Sequence, residues 1–255
     1  MRRLVAAEFH KLVTTRLWLW LWLLLGSVAL TALYTSLAIA FGDTPDNPTP
    51  PLASPGGQRT VFSVGQGAGT LLAVLAAIGL TGEFRNQTAT TTFLATPHRG
   101  RVVLAKLITY ALVGIGYALV SIAVTIAIAL LWLNAKGIQI PLGGNGIPAT
   151  LAGVVAAVAI FGLIGVGLGA LVREQVATVV GLLVYLFIAE PIVTRIPALG
   201  SWTIYLPGAA ANALTQVAQA NQDFLPPWQG GLVLAGYGLI LAAAGTFLTT
   251  RRDIT

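Results

Sequence analysis

"LITYALVGIGYALVSIAVTIAIALLWL", Leu107–Leu133, is 27 residues long and carries no charged side chain. A helix crossing ~30 Å of hydrocarbon needs about 20 apolar residues, so this run reads as a membrane span with length to spare. The composition of the whole chain agrees. Residues of the AVILMFWYC set make up 56% of the 255, and 9% are charged, where a soluble domain is about one quarter charged. No soluble interior absorbs that much apolar side chain, so the solvent is lipid. The sequence predicts an all-α, polytopic bundle of six transmembrane helices with an N-terminal amphipathic interfacial helix, forming a single transmembrane domain over 1–255.

Outward from Leu107–Leu133, the other spans are Leu17–Phe41, Val61–Leu80, Thr150–Val172, Val176–Ala189 and Trp228–Thr249. Leu17–Phe41 is longer than the apolar core of a secretory signal, so it is read as an anchor. The fifth is the shortest. Its 14 clean residues reach only ~21 Å. It continues through Glu190-Pro191-Ile192-Val193, sits where the bilayer is thin, or is re-entrant.

Lys and Arg set the orientation. Arg2, Arg3, Lys11, Arg16, Arg85, Arg99, Arg101, Lys106, Arg173, Arg251 and Arg252 fall at one set of ends. Arg59, Lys136 and Arg195 fall at the other: 11 of the 14 cations against 3. The positive-inside rule then puts both termini in the cytoplasm, as expected of a multi-pass protein of the cell (plasma) membrane. The net charge of +6 reads as cytoplasmic ends and anionic membrane lipid, and no nucleic acid is expected as a partner. There is no cysteine, and His10 and His98 are the two histidines. Thiolate chemistry and multi-histidine metal sites are therefore excluded. No HExxH, GxSxG or mid-membrane pair of acids occurs, so the chain is not expected to be an enzyme. "GQGAG" at 65–69 lacks the Lys-Ser/Thr pair of a phosphate loop, and no Walker A motif occurs anywhere.

Residues 1–16 predict a cytoplasmic interfacial helix. Leu4, Val5, Phe9, Leu12 and Val13 share one face, with Arg3, His10, Lys11 and Thr14 opposite. Trp18, Trp20 and Trp22 then mark the headgroup level. The outer loop "GDTPDNPTPPLASPGGQR" holds five prolines and predicts an extended, packless spacer. Residues 190–227 predict an external helical insert. In it Pro207 opens a helix that carries Asn212, Gln216 and Gln219 on one face, lying in the outer interface. In the fourth span Gly165 and Gly169 form a GxxxG, which implies close helix packing.

The polar exception is "GEFRNQTATTTFLATPHRGRVVLAK", Gly82–Lys106. A link between two spans needs only a few residues. This one predicts a short helix from about Thr88 to Ala95, ended by Pro97. Phe93 and Leu94 would sit beside hydroxyls and flanking cations. Such a loop suits docking into a groove of another protein, or contact with anionic lipid, and composition leaves the two level.

Here the chain resembles the permease subunits of ABC-2 type transporters. The likeness rests on Glu83-Phe84-Arg85, Thr88, Pro97, Arg99, Arg101 and Lys106, with the six-span plan and basic N-terminus around them. One departure is Gln87, where many members carry Gly. The resemblance implies a permease that exports an amphiphilic substrate such as a drug, lipid, peptide or glycan. It implies two ABC ATPase subunits as partners, which bind the ATP and Mg, and a second permease chain in a homo- or heterodimer. No cofactor is expected in this chain. Loop 82–106 would be the cytoplasmic coupling loop, with Glu83, Arg85, Thr88, Phe93, Pro97, Arg99, Arg101 and Lys106 as its ATPase-coupling residues.

Ser63, Gln66, Thr70, Ala77 and Thr81 fall within about 60° of one face of the second span. In lipid such a stripe must face protein or water. The resemblance implies that span two lines the substrate path, and the alternative for each single residue is ordinary interhelical bonding. Glu190 joins the path as the one acid in or at the end of a span; near the outer boundary it is expected to be hydrated or paired with Arg195. The rival readings are a secondary transporter or channel, which would carry more embedded charge or an internal repeat, and a non-transporting membrane scaffold.

Overall fold

A computed structural model of the chain describes residues 1–15, 17–45, 47–85, 99–217 and 224–251. Among them there is no β-strand. Six helices are long and apolar enough to cross a membrane: Leu17–Phe41, Pro55–Arg85, Gly100–Ala135, Ile147–Val172, Gln175–Val193 and Pro227–Leu248. The protein is an all-α, multi-pass helix bundle.

Helix α1 (Arg2–Thr15) precedes the first span, α2 (Leu17–Phe41). The second span consists of α3 (Pro55–Ser63), a 3₁₀ segment (Val64–Gly67) and α4 (Ala68–Arg85). The third is α5 (Arg99–Ala135) and the fourth α6 (Ile147–Val172). The fifth is α7 (Gln175–Val184), a π turn (Tyr185–Ala189) and α8 (Glu190–Val193). A 3₁₀ stretch (Pro197–Tyr205) and α9 (Pro207–Leu214) lead to the sixth span, α10 (Pro227–Arg251).

Helix α6 stands at the centre because small residues let its neighbours approach. A Cβ on Gly165 would lie 2.2 Å from the Ala73 carbonyl oxygen, and one on Gly169 would lie 3.2 Å from that of Ala77. The GxxxG is thus the backbone contact between spans two and four. A Cβ on Gly167, which points elsewhere, would meet the Leu241 backbone of α10 at 2.6 Å.

Several boundaries differ from expectation, each for a local reason. Span two starts at Pro55 rather than Val61. The Ser54 hydroxyl accepts from the Gly57 amide at 3.1 Å, and Pro55 opens the first turn, a strong start signal. Span three begins at Arg99 rather than Leu107, so 99–106 is helix and the link shortens to 86–98. Span five does continue through Glu190-Pro191-Ile192-Val193. The Glu190 amide reaches back to the Tyr185 carbonyl, and the wider turn precedes Pro191, which has no N–H to give. The proline loop is not packless: the Asp43 carboxylate accepts from the Leu52 amide at 2.9 Å. Leu52 is buried among Ile39, Val61 and Phe62.

Helix α9 packs into the bundle. It is wedged between α6 and α10: a Cβ on Gly153 would meet the Leu214 carbonyl oxygen at 2.4 Å, and one on Gly230 that of Ala210 at 2.7 Å. The helix ends at Leu214, so Gln216, with φ 57°, shares no helical face with Asn212. Gln219 lies outside the described residues.

Candidate functional site

The predicted site residues separate into two groups at opposite ends of the bundle. The first lies where α1 meets the ends of spans two and three. Lys106 is 2% exposed, and burying an ammonium requires partners. It has two. Its Nζ donates to Glu83 Oε1 at 2.7 Å and makes a short contact with Glu8 Oε2. Lys11 Nζ closes the other side, at 2.9 Å from Glu8 Oε1 and 3.2 Å from Glu83 Oε1. Two carboxylates and two ammoniums alternate, so no charge faces its like without an intervening partner. Burial alone would raise the Glu8 carboxyl, but Lys106 and then Lys11 hold it below the usual carboxylate range. Burial likewise works against the Lys11 charge, but the hydrogen bond to Glu8 and the Glu83 charge leave its ammonium above the usual lysine value.

The sequence reading missed Glu8. The signal was present: Leu4, Glu8 and Leu12 stand at four-residue spacing, so they share a face. An acid inside a buried apolar stripe requires a buried cation. That face, with Leu12 5% exposed, is the one against the bundle. Phe9 and Val13 are exposed beside it, which leaves them on the face open to lipid.

Around this cluster, Arg85 and Arg101 are exposed. The Arg173 guanidinium lies over the Phe84 ring, 5.1 Å from its centroid, and donates to the Leu248 carbonyl at 3.0 Å. Spans two, four and six are thereby tied at one end. Glu174 caps α7 through the Ala177 and Val176 amides, which, with the Arg85 charge nearby, lower its carboxyl. Thr88, Phe93 and Pro97 lie outside the described residues, as does the side chain of Arg99.

The second group, Gln66, Thr70 and Glu190, lies toward the opposite end, and the stripe expected from Ser63 to Thr81 does not survive as one face. The 3₁₀ segment changes the helical phase between Ser63 and Thr70. Ser63 and Thr81 are buried and bond back to their own helix, to the carbonyls of Thr60 at 2.7 Å and Ala77 at 2.8 Å. They are packing. Gln66 and Thr70 instead line a cavity of about 380 Å³ with Asn212 and Glu190. Gln66 Nε2 donates to Asn212 Oδ1 at 2.8 Å, and its Oε1 accepts from the Thr215 hydroxyl at 3.1 Å.

Glu190 is 6% exposed, so it is not the hydrated carboxylate expected at the boundary. Nor does it pair with Arg195: no such ion pair occurs among the described residues. Its Oε1 accepts from the amides of Gly208 at 2.6 Å and Ala209 at 3.1 Å, capping α9. Its Oε2 is buried and receives no donor from the described residues. Among those residues no three His, Asp or Glu side chains converge as a metal site would need. Compared with known proteins, the chain matches no family model and no curated protein.

Proposed function

We propose that the chain is the permease subunit of an ATP-driven exporter of the ABC-2 type, in the cell membrane with α1 and both termini on the cytoplasmic side. Its substrate is amphiphilic. A separate pair of ATPase subunits binds ATP and Mg, and a second permease chain completes the path. The observation that supports this most is the four-charge cluster. Glu83 and Lys106 sit on the two stems of segment 86–98 and bond each other, and Glu8 and Lys11 fasten α1 to both. A partner seated on that segment would push on spans two and three and on α1 as one unit. On this reading Arg85, Arg99 and Arg101 hold the ATPase. Glu83 and Lys106 act as positioning residues that carry its motion inward.

Copurification with the ATPase tests this. Reversing two cations, Arg85→Glu with Arg101→Glu, sets like charges against an acidic groove, which costs several kcal/mol at a desolvated contact. The double variant is expected to lose its ATPase while the six-span fold persists. Retention of the ATPase at wild-type strength in moderate salt would sink the coupling assignment. Labelling of a cysteine introduced at Asn47 from the outside, and of one at Thr255 only after permeabilisation, checks the orientation. The reverse pattern overturns it.

A further inference from the structure

The cavity between spans two and five has an uneven lining. One side is apolar, with Phe161, Leu186 and Phe187. The other carries Gln66, Asn212 and Glu190, the last a buried acid with a single satisfied oxygen. Neither span is a regular α-helix where it faces this space. The 3₁₀ segment Val64–Gly67 supplies Gln66 and Gly67, and the π turn Tyr185–Ala189 supplies Leu186 and Phe187. Irregular turns inside long helices concentrate at functional positions, and here two of them face one cavity.

Simple packing does not explain Glu190. Its cap on α9 uses Oε1 alone, so the amides leave the second oxygen without a donor among the described residues. A carboxylate oxygen left buried without a donor is costly, so a proton or a cation completes it. Arg195 also lines the cavity but is exposed, so water screens its charge far better than that of the buried acid.

We infer that this cavity is a binding site for an alkylammonium amphiphile, with the ammonium charge beside the Glu190 carboxylate and its N–H donating to the carbonyl side of the Gln66–Asn212 pair, and the alkyl chain along Phe161, Leu186 and Phe187. The aromatic rings also suit a cation approaching from the apolar side. The inference names the substrate class of the proposed exporter and rests on that reading only for transport. Binding itself needs no ATPase.

The test is therefore binding to the purified full chain in phosphatidylcholine nanodiscs, with octylammonium as the probe and octanol as its uncharged counterpart. Wild type is expected to bind octylammonium saturably and about tenfold or more tightly than octanol, as one buried charge pair implies. Glu190→Gln keeps an acceptor for the Gly208 and Ala209 amides and removes the charge, so it should lose that preference. Gly67→Leu fills the cavity from the opposite wall. A Cβ there meets nothing within 4 Å, so the variant should fold and bind neither probe. Equal binding of both probes to wild type overturns the inference, as does full octylammonium affinity in Glu190→Gln or in Gly67→Leu. Failure to find an ATPase partner would end the exporter reading and leave these affinities unchanged.

Discussion

Two buried acids, Glu8 at one end of the bundle and Glu190 at the other, meet opposite treatment. Both oxygens of Glu8 face ammonium groups, and each ammonium bridges to a second acid. One oxygen of Glu190 faces two amides, and the other faces no donor among the described residues, beside a cavity. A cluster in which each charge bridges two opposite charges rigidifies what it joins. It has nothing left to offer a ligand. An acid with one oxygen spare, next to space, has. The difference assigns fastening to the α1 end and recognition to the other.

The strongest attempt to break that contrast removes Lys106. Lys106→Met keeps the buried stem and deletes the ammonium shared by Glu8 and Glu83. Breaking a buried pair from one side costs about 3–5 kcal/mol, because an uncompensated charge remains. A large fall in unfolding temperature in detergent is expected. Adding Glu8→Gln should recover part of it, since one stranded charge goes with it. If Lys106→Met unfolds like wild type, the cluster is not the fastener.

The acid side of pH comes next. The folded Glu8 carboxyl titrates below its unfolded value, so its contribution is complete above the ordinary carboxylate range, near pH 4.3. It is lost as pH falls through the depressed value. Lys11 is raised, so its contribution is complete below the ordinary lysine value of about 10.4 and is lost only as pH climbs past it. Unfolding temperature followed against pH should therefore show no loss from Glu8 or Lys11 between those limits, with a decline on the acid side that shrinks in Glu8→Gln. An acid limb identical in Glu8→Gln would remove Glu8 from the account.

How much of this was legible follows from what each feature depends on. The six spans were readable because hydrocarbon demands long apolar helices regardless of what they touch. The start of span three was not. Basic residues 99–106 look like a loop until Lys106 is given a partner, and one of its partners lies 98 residues away. The stripe on span two assumed a constant 100° step, which the 3₁₀ segment interrupts. Glu190 was singled out by its rarity. Its partner could not be read, because backbone amides of α9 belong to every sequence. Gln66 and Thr70 were chosen for polarity, and both do line the cavity; Ser63 and Thr81 were chosen by the same rule and, among the described residues, bond back to their own helix.

At the Glu190 end the cap itself can be disturbed without touching the acid. A Cβ on Gly208 would lie 2.6 Å from Glu190 Oε1, so Gly208→Ala must push the carboxylate away from the two amides it serves. Loss of an N-cap costs about 1 kcal/mol, well below the effect at Lys106. Octylammonium affinity should change as well, because the displaced carboxylate also loses its aim at the cavity. A drop in stability with unchanged affinity would mean that Glu190 is only a cap, and the contrast between the two ends would narrow.

The smallest effect sharpens the comparison from inside the charged cluster. Lys11 bonds the same two acids as Lys106, but its side chain is 43% exposed, against 3% for Lys106. Water can solvate what Lys11→Ala leaves behind, and Lys106 still bridges Glu8 and Glu83. Exposed ion pairs contribute about 0.2–1 kcal/mol, so Lys11→Ala should lower unfolding temperature slightly, and high salt should erase most of the difference. Lys106→Met should keep its deficit in the same salt, because its charges are shielded from ions. Two lysines with shared partners then differ by burial alone. Equal deficits with equal salt response would show that the cluster is solvated throughout, and that the N-terminal helix is held by Leu12 and its apolar neighbours rather than by charge.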